Sequence, residues 1–192
     1  MRHGLIYHLL VFSLVLMSCA VKETEPTIEQ KLSELEVDFE KGYTSSVESK
    51  ARELAYKLPK GTTLRLRAFE LYAKALEENS KNDEAARTFA QLAEENPFEK
   101  TRRTWLRKSA ENYLLSRSRD EADPTPLFQA LEQINNIEKI FGTLEDGEKK
   151  LKHQIKEKLI RYYQKIVEFY QKRGKNVSAD IYREKIAELD KE

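Results

Sequence analysis

Few residues of this chain combine the type and the spacing that enzymatic chemistry needs. It has one cysteine, Cys19, and three histidines, of which only His153 lies beyond the first eight positions. A lone histidine in the lysine-rich stretch KKLKHQIKEK is expected to be solvated, and it cannot form a multi-histidine metal site or a His-based triad. The chain also lacks a glycine-rich phosphate loop. We therefore expect no enzymatic activity, no bound metal and no non-covalent cofactor.

The sequence does predict a covalent modification of the chain itself, at Cys19. An apolar run from Leu5 to Met17 precedes this cysteine, and Arg2 gives the segment a positive start. As a helix the run would rise about 20 Å, which is short of the roughly 30 Å core of a bilayer. A positive start, a short apolar middle and a small-residue boundary are typical of a secretory signal peptide rather than of a membrane span.

The four residues Leu16-Met17-Ser18-Cys19 resemble the lipobox of bacterial lipoproteins. In such proteins the cysteine sulfur receives a diacylglycerol, the chain is cleaved before the cysteine, and the new amino group usually receives a fatty acid such as palmitate. The resemblance implies a signal peptide over 1–18, lipid attachment at Cys19 and a tether over 19–26. Two or three acyl chains hold a protein on a bilayer almost irreversibly. The alternative is an ordinary signal peptide that ends beside a free thiol.

Charge argues against nucleic acid as a partner. Without Arg2 the chain keeps 33 of its 34 basic residues against 33 acidic ones, so the mature protein is close to neutral. A general nucleic-acid binder carries a basic excess. Charged residues make up 35% of the chain, with only six glycines and five prolines, and this composition is typical of helices with solvated faces.

Apolar residues recur every three or four positions from residue 27 onward, and no segment alternates as a strand would. Eight helices are expected. Thr27 with Gln30, and Ser45 with Glu48, form capping-box patterns for the first two, and Asn82 is expected to cap the fourth. The apolar stripe predicted for the seventh helix is Leu151, Ile155, Leu159, Tyr162, Ile166 and Tyr170.

A 34-residue unit that begins at Leu66 resembles a tetratricopeptide repeat. It carries aromatic or small residues at the repeat's characteristic positions: Phe69, Tyr72, Ala73, Ala85, Phe89 and, as the breaker, Pro97. Weaker matches begin near Ile28 and Ile160, and 98–145 fits poorly. The prediction is an all-α domain over 27–192, with about eight helices in antiparallel pairs stacked as a TPR-like superhelix of about four degenerate repeats. The alternative is an irregular helical bundle.

Two longer phrases resemble the outer-membrane assembly lipoproteins of the BamD type. They are ELYAKALEENSKNDEAARTFAQLAEENPFEK and IVEFYQKRGKNVSADIYREKIAEL. This resemblance implies a non-enzymatic, lipid-anchored scaffold on the periplasmic face of the outer membrane. Its implied partners are envelope proteins such as a β-barrel assembly machine or its substrates. The chain is shorter than typical members, which carry five repeats. Pilus and secretion-system assembly lipoproteins share the architecture and remain the alternative.

Partner binding is expected along the first helices of the pairs, which line the groove of such a superhelix. The candidate groove residues are Arg67, Glu70, Lys74 and Glu77 in one repeat and Arg161, Gln164, Glu168 and Gln171 in the last. A basic run with an aromatic, Lys100 to Lys108, could instead meet lipid phosphates or an acidic partner. We favour the interpretation that Trp105 within it is a core residue and that the charges are its solvated face.

Overall fold

A computed structural model describes residues 26–96, 98–116 and 123–191, and regular structure in this part of the chain is entirely helical, at 84% of it. The eight helices are α1 (Ile28–Glu40), α2 (Thr44–Lys57), α3 (Thr63–Glu78), α4 (Asn82–Glu95), α5 (Glu99–Leu115), α6 (Thr125–Phe141), α7 (Asp146–Gln171) and α8 (Asn176–Lys191). The predicted all-α fold and the predicted number of helices are confirmed.

The helices pack in adjacent pairs, α1 with α2, α3 with α4, α5 with α6 and α7 with α8. The first helix of a pair also packs against the second helix of the preceding pair, so that the pairs form one stack. First helices of neighbouring pairs touch as well, α1 with α3 and α5 with α7. This is the arrangement of a TPR-like helical repeat, in which each unit contacts mainly its neighbours.

Small residues lie at the helix crossing of the best-matching repeat. Ala73 on α3 and Ala85 on α4 are completely buried, and Phe69 and Phe89 beside them are no more than 2% exposed. Because alanine has no side chain beyond Cβ, two helix backbones can approach closely at these positions while the aromatic rings fill the space around them. The register assigned to this repeat from its sequence agrees with this packing.

Two of the predicted helix caps are wrong. The first capping box is present, with Thr27 and Gln30 bonded to each other's backbone N–H groups. α2, however, starts at Thr44 without a side-chain cap, and Glu48 accepts hydrogen bonds from Asn79 and Lys81 instead. The N-cap of α4 is Lys81, and the amide of Asn82 donates to a backbone carbonyl at the end of α5. Both side chains form hydrogen bonds with groups in a neighbouring helix pair. These bonds take the place of the local caps that the sequence predicts.

The apolar stripe of α7 was also predicted one residue out of phase beyond Leu159. The buried positions there are Tyr163 and Val167, not Tyr162 and Ile166. A stripe can advance by three or by four residues per turn, and the ring of Tyr163 is held by the rings of Phe128 on α6 and Tyr182 on α8. The packing of the neighbouring helices therefore decides the phase.

The predicted signal peptide, the lipid-attachment residue Cys19 and the tether up to residue 25 lie outside the described residues, as does Pro97. Among the helices described, none has the length and apolar character needed to cross a membrane.

Candidate partner-binding surface

The predicted groove residues of α3 lie on one face of that helix and are partly exposed. The exposed fraction of their side chains runs from 26% for Glu77 to 49% for Lys74. Lys74 and Glu70 form an ion pair one helical turn apart, with 2.8 Å between Nζ and Oε1. The two other members, Arg67 and Glu77, are engaged with neighbouring helices.

Arg67 joins α3 to α1. Its guanidinium donates to both carboxylate oxygens of Glu36, with Nη2 at 2.9 Å from each. Both side chains are only partly exposed, 34% for Arg67 and 44% for Glu36. A bidentate guanidinium–carboxylate pair fixes the orientation of both groups as well as their distance. Arg67 therefore positions α1, and it is not a free cation on the surface.

Glu77 joins α3 to α5 in the same manner. Its carboxylate accepts from Nζ of Lys108 at 3.1 Å and from the amide of Asn112 at 2.8 Å. Asn112 is completely buried, so the contact satisfies the side-chain N–H group of a residue that would otherwise be costly to bury.

A third pair joins α5 to α7. Arg103 donates to the carboxylate of Glu148, whose side chain is 1% exposed, with 2.9 Å between Nε and Oε1. We call the three pairs Glu36–Arg67, Glu77–Lys108 and Arg103–Glu148 the inner ladder, because each connects the first helices of two successive helix pairs.

The pKa of Glu148 reports the strength of this last link. Burial raises the pKa of the carboxyl, but the hydrogen bonds from Arg103 and the Glu145 backbone, together with the positive charges of Arg103 and Arg107, lower it by more. The net pKa lies below the ordinary value, so the group is ionised in the folded protein. The same contact raises the pKa of the Arg103 guanidinium.

The second predicted set, on α7, is far more open to solvent. Arg161 is 72% exposed, and its nearest carboxylate, Glu157, is 3.9 Å away. Gln164, Glu168 and Gln171 are exposed as well. The structure thus separates the two predicted sets. The α3 residues mostly pair with other residues of the fold, whereas the α7 residues remain exposed and available to a binding partner.

A cleft of about 630 Å³ next to Arg161 was not predicted from the sequence. It lies between the end of α5, the start of α6 and the middle of α7, and Lys158 and Lys165 line it together with Arg161. The signal that could have indicated it is the spacing of the three cations, because residues three and four apart share a helix face.

The basic run on α5 is integrated into the fold. Trp105 is buried, at 5% exposed, and Arg103 and Lys108 belong to the inner ladder. The structure favours the core interpretation of Trp105 over a membrane contact.

His153 is 75% exposed, with its Nε2 3.4 Å from Glu157. Within the described ranges, no group of three or more His, Cys, Asp or Glu residues has the arrangement of a metal site.

Comparisons with protein-family models, with characterised proteins and with solved structures find no match to this chain. The class defined by its own residues is that of an all-α, TPR-like helical repeat protein, and any statement of function must rest on the surfaces described above.

Proposed function

We propose that this chain is a lipid-anchored scaffold on the periplasmic face of the bacterial outer membrane, without enzymatic activity. It would bind other envelope proteins through the first helices of its stacked pairs. The leading role is in the assembly of β-barrel outer-membrane proteins, as the resemblance to lipoproteins of the BamD type implies. The alternative is a role in assembling a pilus or a secretion system.

The observation that carries this proposal is the open polar face of α7 within a stacked-pair architecture. Stacks of this kind commonly bind an extended segment or a partner helix along their inner side. Arg161 and its neighbours on α7 are solvent-exposed. The motif that ends at Cys19 supports the other half of the proposal, since a short tether would keep the start of α1 within roughly 25 Å of a membrane.

The test compares wild-type protein with two variants in native cells. Cys19→Ala should accumulate as unprocessed precursor and should no longer follow the membrane fraction in detergent extraction, because the acceptor sulfur is gone. Met17→Ala is the matched control, since that position of the motif tolerates substitution. Mass spectrometry that finds an unmodified Cys19 in the wild-type protein would refute the anchor.

Mild crosslinking of the same cells, followed by identification of co-purified proteins, tests the partner class. We expect components of β-barrel assembly or their substrates in the wild-type sample. Pilus or secretion components would support the alternative. A small-molecule turnover activity that co-purifies with the chain and is lost on its deletion would argue against a scaffold.

A further inference from the structure

The cleft between α5, α6 and α7 concentrates positive charge on an otherwise balanced molecule. Lys158, Arg161 and Lys165 line one wall of it, and Asp123 is the acidic member of the lining within the described ranges. The whole chain has a formal net charge of only +1. The excess on this wall is therefore local, and it favours an anionic occupant.

Among the residues that the structure describes, few carboxylates neutralise these three cations. Lys165 is exposed and has no ion-pair partner in the described part of the chain. Arg161 is 3.9 Å from Glu157, and Lys158 donates to the backbone carbonyl of Leu114 rather than to a carboxylate. On α3, by contrast, each charged residue of the predicted groove has an oppositely charged group within about hydrogen-bonding distance. Less of its charge is therefore available to a binding partner.

The opposite side of the cleft is largely apolar, with Ser116 and Asp123 as its polar members. Leu114, Pro124, Pro126 and Leu127 contribute to its lining, with the ring of Tyr162 beside the cations. A ligand that fills the cleft must therefore present carboxylates to one wall and apolar groups to the other. A volume of about 630 Å³ lies within the range of specific ligand sites.

The spacing of the cations favours a chain over a single small anion. At 1.5 Å per residue, Lys158 and Lys165 are roughly 10 Å apart along the axis of α7, and Arg161 and Lys165 are roughly 6 Å apart. In an extended peptide, side chains on the same side recur about every 6.7 Å, and those between them point the opposite way. An extended segment with acidic residues at alternate positions matches both walls.

We propose that this cleft binds an extended peptide segment in which acidic and apolar residues alternate. The proposal deepens the proposed function, on which it rests, by naming the chemistry of the segment that a partner protein inserts. The carboxylates pair with Arg161 and Lys165, and the apolar side chains pack on Leu114 and Leu127. The concave, partly apolar shape disfavours a flat lipid surface as the occupant.

The experiment measures fluorescence anisotropy of labelled ten-residue peptides with the full-length protein in neutral detergent. The probe alternates Glu and Val, and two comparison peptides alternate Lys and Val or Glu and Ser. The test variant is Arg161→Glu with Lys165→Glu. The matched control is Lys150→Glu with Lys172→Glu, which makes the same charge change at exposed positions of α7 and its C-terminal cap that do not line this cleft.

We expect the Glu–Val peptide to bind and the test variant to weaken its affinity at least about tenfold at low salt, with less than about twofold loss in the control. The Glu–Ser peptide should bind more weakly, and the Lys–Val peptide should not bind. Arg161 and Lys165 are exposed, so the test variant should keep the wild-type circular dichroism spectrum and melting midpoint.

Several outcomes would overturn the proposal. They are the absence of Glu–Val binding, equal losses in both double variants, and equal binding of the Glu–Val and Glu–Ser peptides. Displacement of the peptide by vesicles of anionic lipid, with the same dependence on Arg161 and Lys165, would point to a membrane surface instead. Salt-dependent self-association lost only in the test variant would point to a second copy. None of these results bears on lipid attachment at Cys19 or on crosslinked partners, so a failure of the cleft is distinguishable from a failure of the scaffold function.

Discussion

At the scale of single residues, the contact of Glu148 with Arg103 joins helix capping to helix packing. The carboxylate is almost completely removed from solvent, and the guanidinium is 19% exposed. Glu148 also accepts from the backbone N–H of Glu145, which places it in the capping box that opens α7. One side chain thus starts a helix and attaches it to α5. Removing Glu148 would leave Arg103 only Glu145 as a carboxylate partner, 3.4 Å away and 63% exposed. Breaking a buried pair in this way is the costly case.

Glu148→Gln should destabilise the protein by roughly 3 kcal/mol at neutral pH, because Arg103 would lose its charged partner. The control Glu157→Gln, on the same helix but half-exposed, should cost less than about 1 kcal/mol. Urea unfolding curves at pH 7 measure both. Equal midpoints for the two variants would contradict the role given to Glu148.

The pH dependence of the same pair has a definite sign. The pKa of Glu148 is lower in the folded protein than the ordinary value of 4.5. Its contribution to stability is therefore fully present above about pH 4.5 and is lost as the pH falls through the lowered pKa. Unfolding free energies measured between pH 7 and pH 3 should decline less steeply for Glu148→Gln than for the wild type. An unchanged slope would mean that folding does not lower the pKa of Glu148.

At the scale of helices, the packing of α3 on α4 depends on small residues at one crossing. Ala73 and Ala85 have no exposed surface and belong to the same buried cluster as Phe69 and Phe89. Replacing an alanine with leucine adds three carbon atoms, and protein interiors are packed too densely to hold them unless the backbone moves. The contact between these two helices therefore sets how the second pair of the stack is formed.

Ala85→Leu should destabilise the protein by roughly 1–3 kcal/mol, because overpacking forces the two helices apart. Glu78→Leu, which places the same side chain at the exposed end of α3, should cost much less. The comparison is made from urea midpoints of the two variants and the wild type. Similar midpoints for both variants would show that Ala85 is not at a close helix crossing.

At the scale of the whole molecule, the inner ladder links successive helix pairs along the stack. Its three pairs join residues 31, 31 and 45 positions apart in the chain. Two of these separations are close to the length of one repeat. Opposite charges about one repeat apart are therefore a pattern that could be recognised in the sequence. In a repeat protein such neighbour contacts act locally, since each unit touches only the next. Loss of one pair should loosen one end of the stack and leave the far end intact.

Arg67→Glu should loosen α1, because the new carboxylate at position 67 would face the carboxylate of Glu36 and repel it. Hydrogen exchange followed by mass spectrometry should show faster exchange in α1 and unchanged exchange in α7. The double variant Arg67→Glu with Glu36→Arg restores opposite charges and should recover much of the protection. Faster exchange throughout the chain would instead indicate a single cooperative unit, and no recovery in the double variant would mean that the pair does not hold α1.

The sequence by itself determined the helices and their stacking. Apolar spacing of three to four residues is a local property that predicts each helix. The small residues Ala73 and Ala85, with aromatic residues nearby in the sequence, predict where two helices cross. Only the tertiary structure decided which charges are free. Arg67 and Arg161 are both cations at the same predicted repeat position, yet one is bound to Glu36 and the other is 72% exposed. The reason is that the partner of Arg67 lies 31 residues away in the chain. Its distance from Arg67 is set by how the helices pack rather than by local periodicity. The phase of α7 beyond Leu159 was decided in the same way, by the rings of Phe128 and Tyr182 against Tyr163.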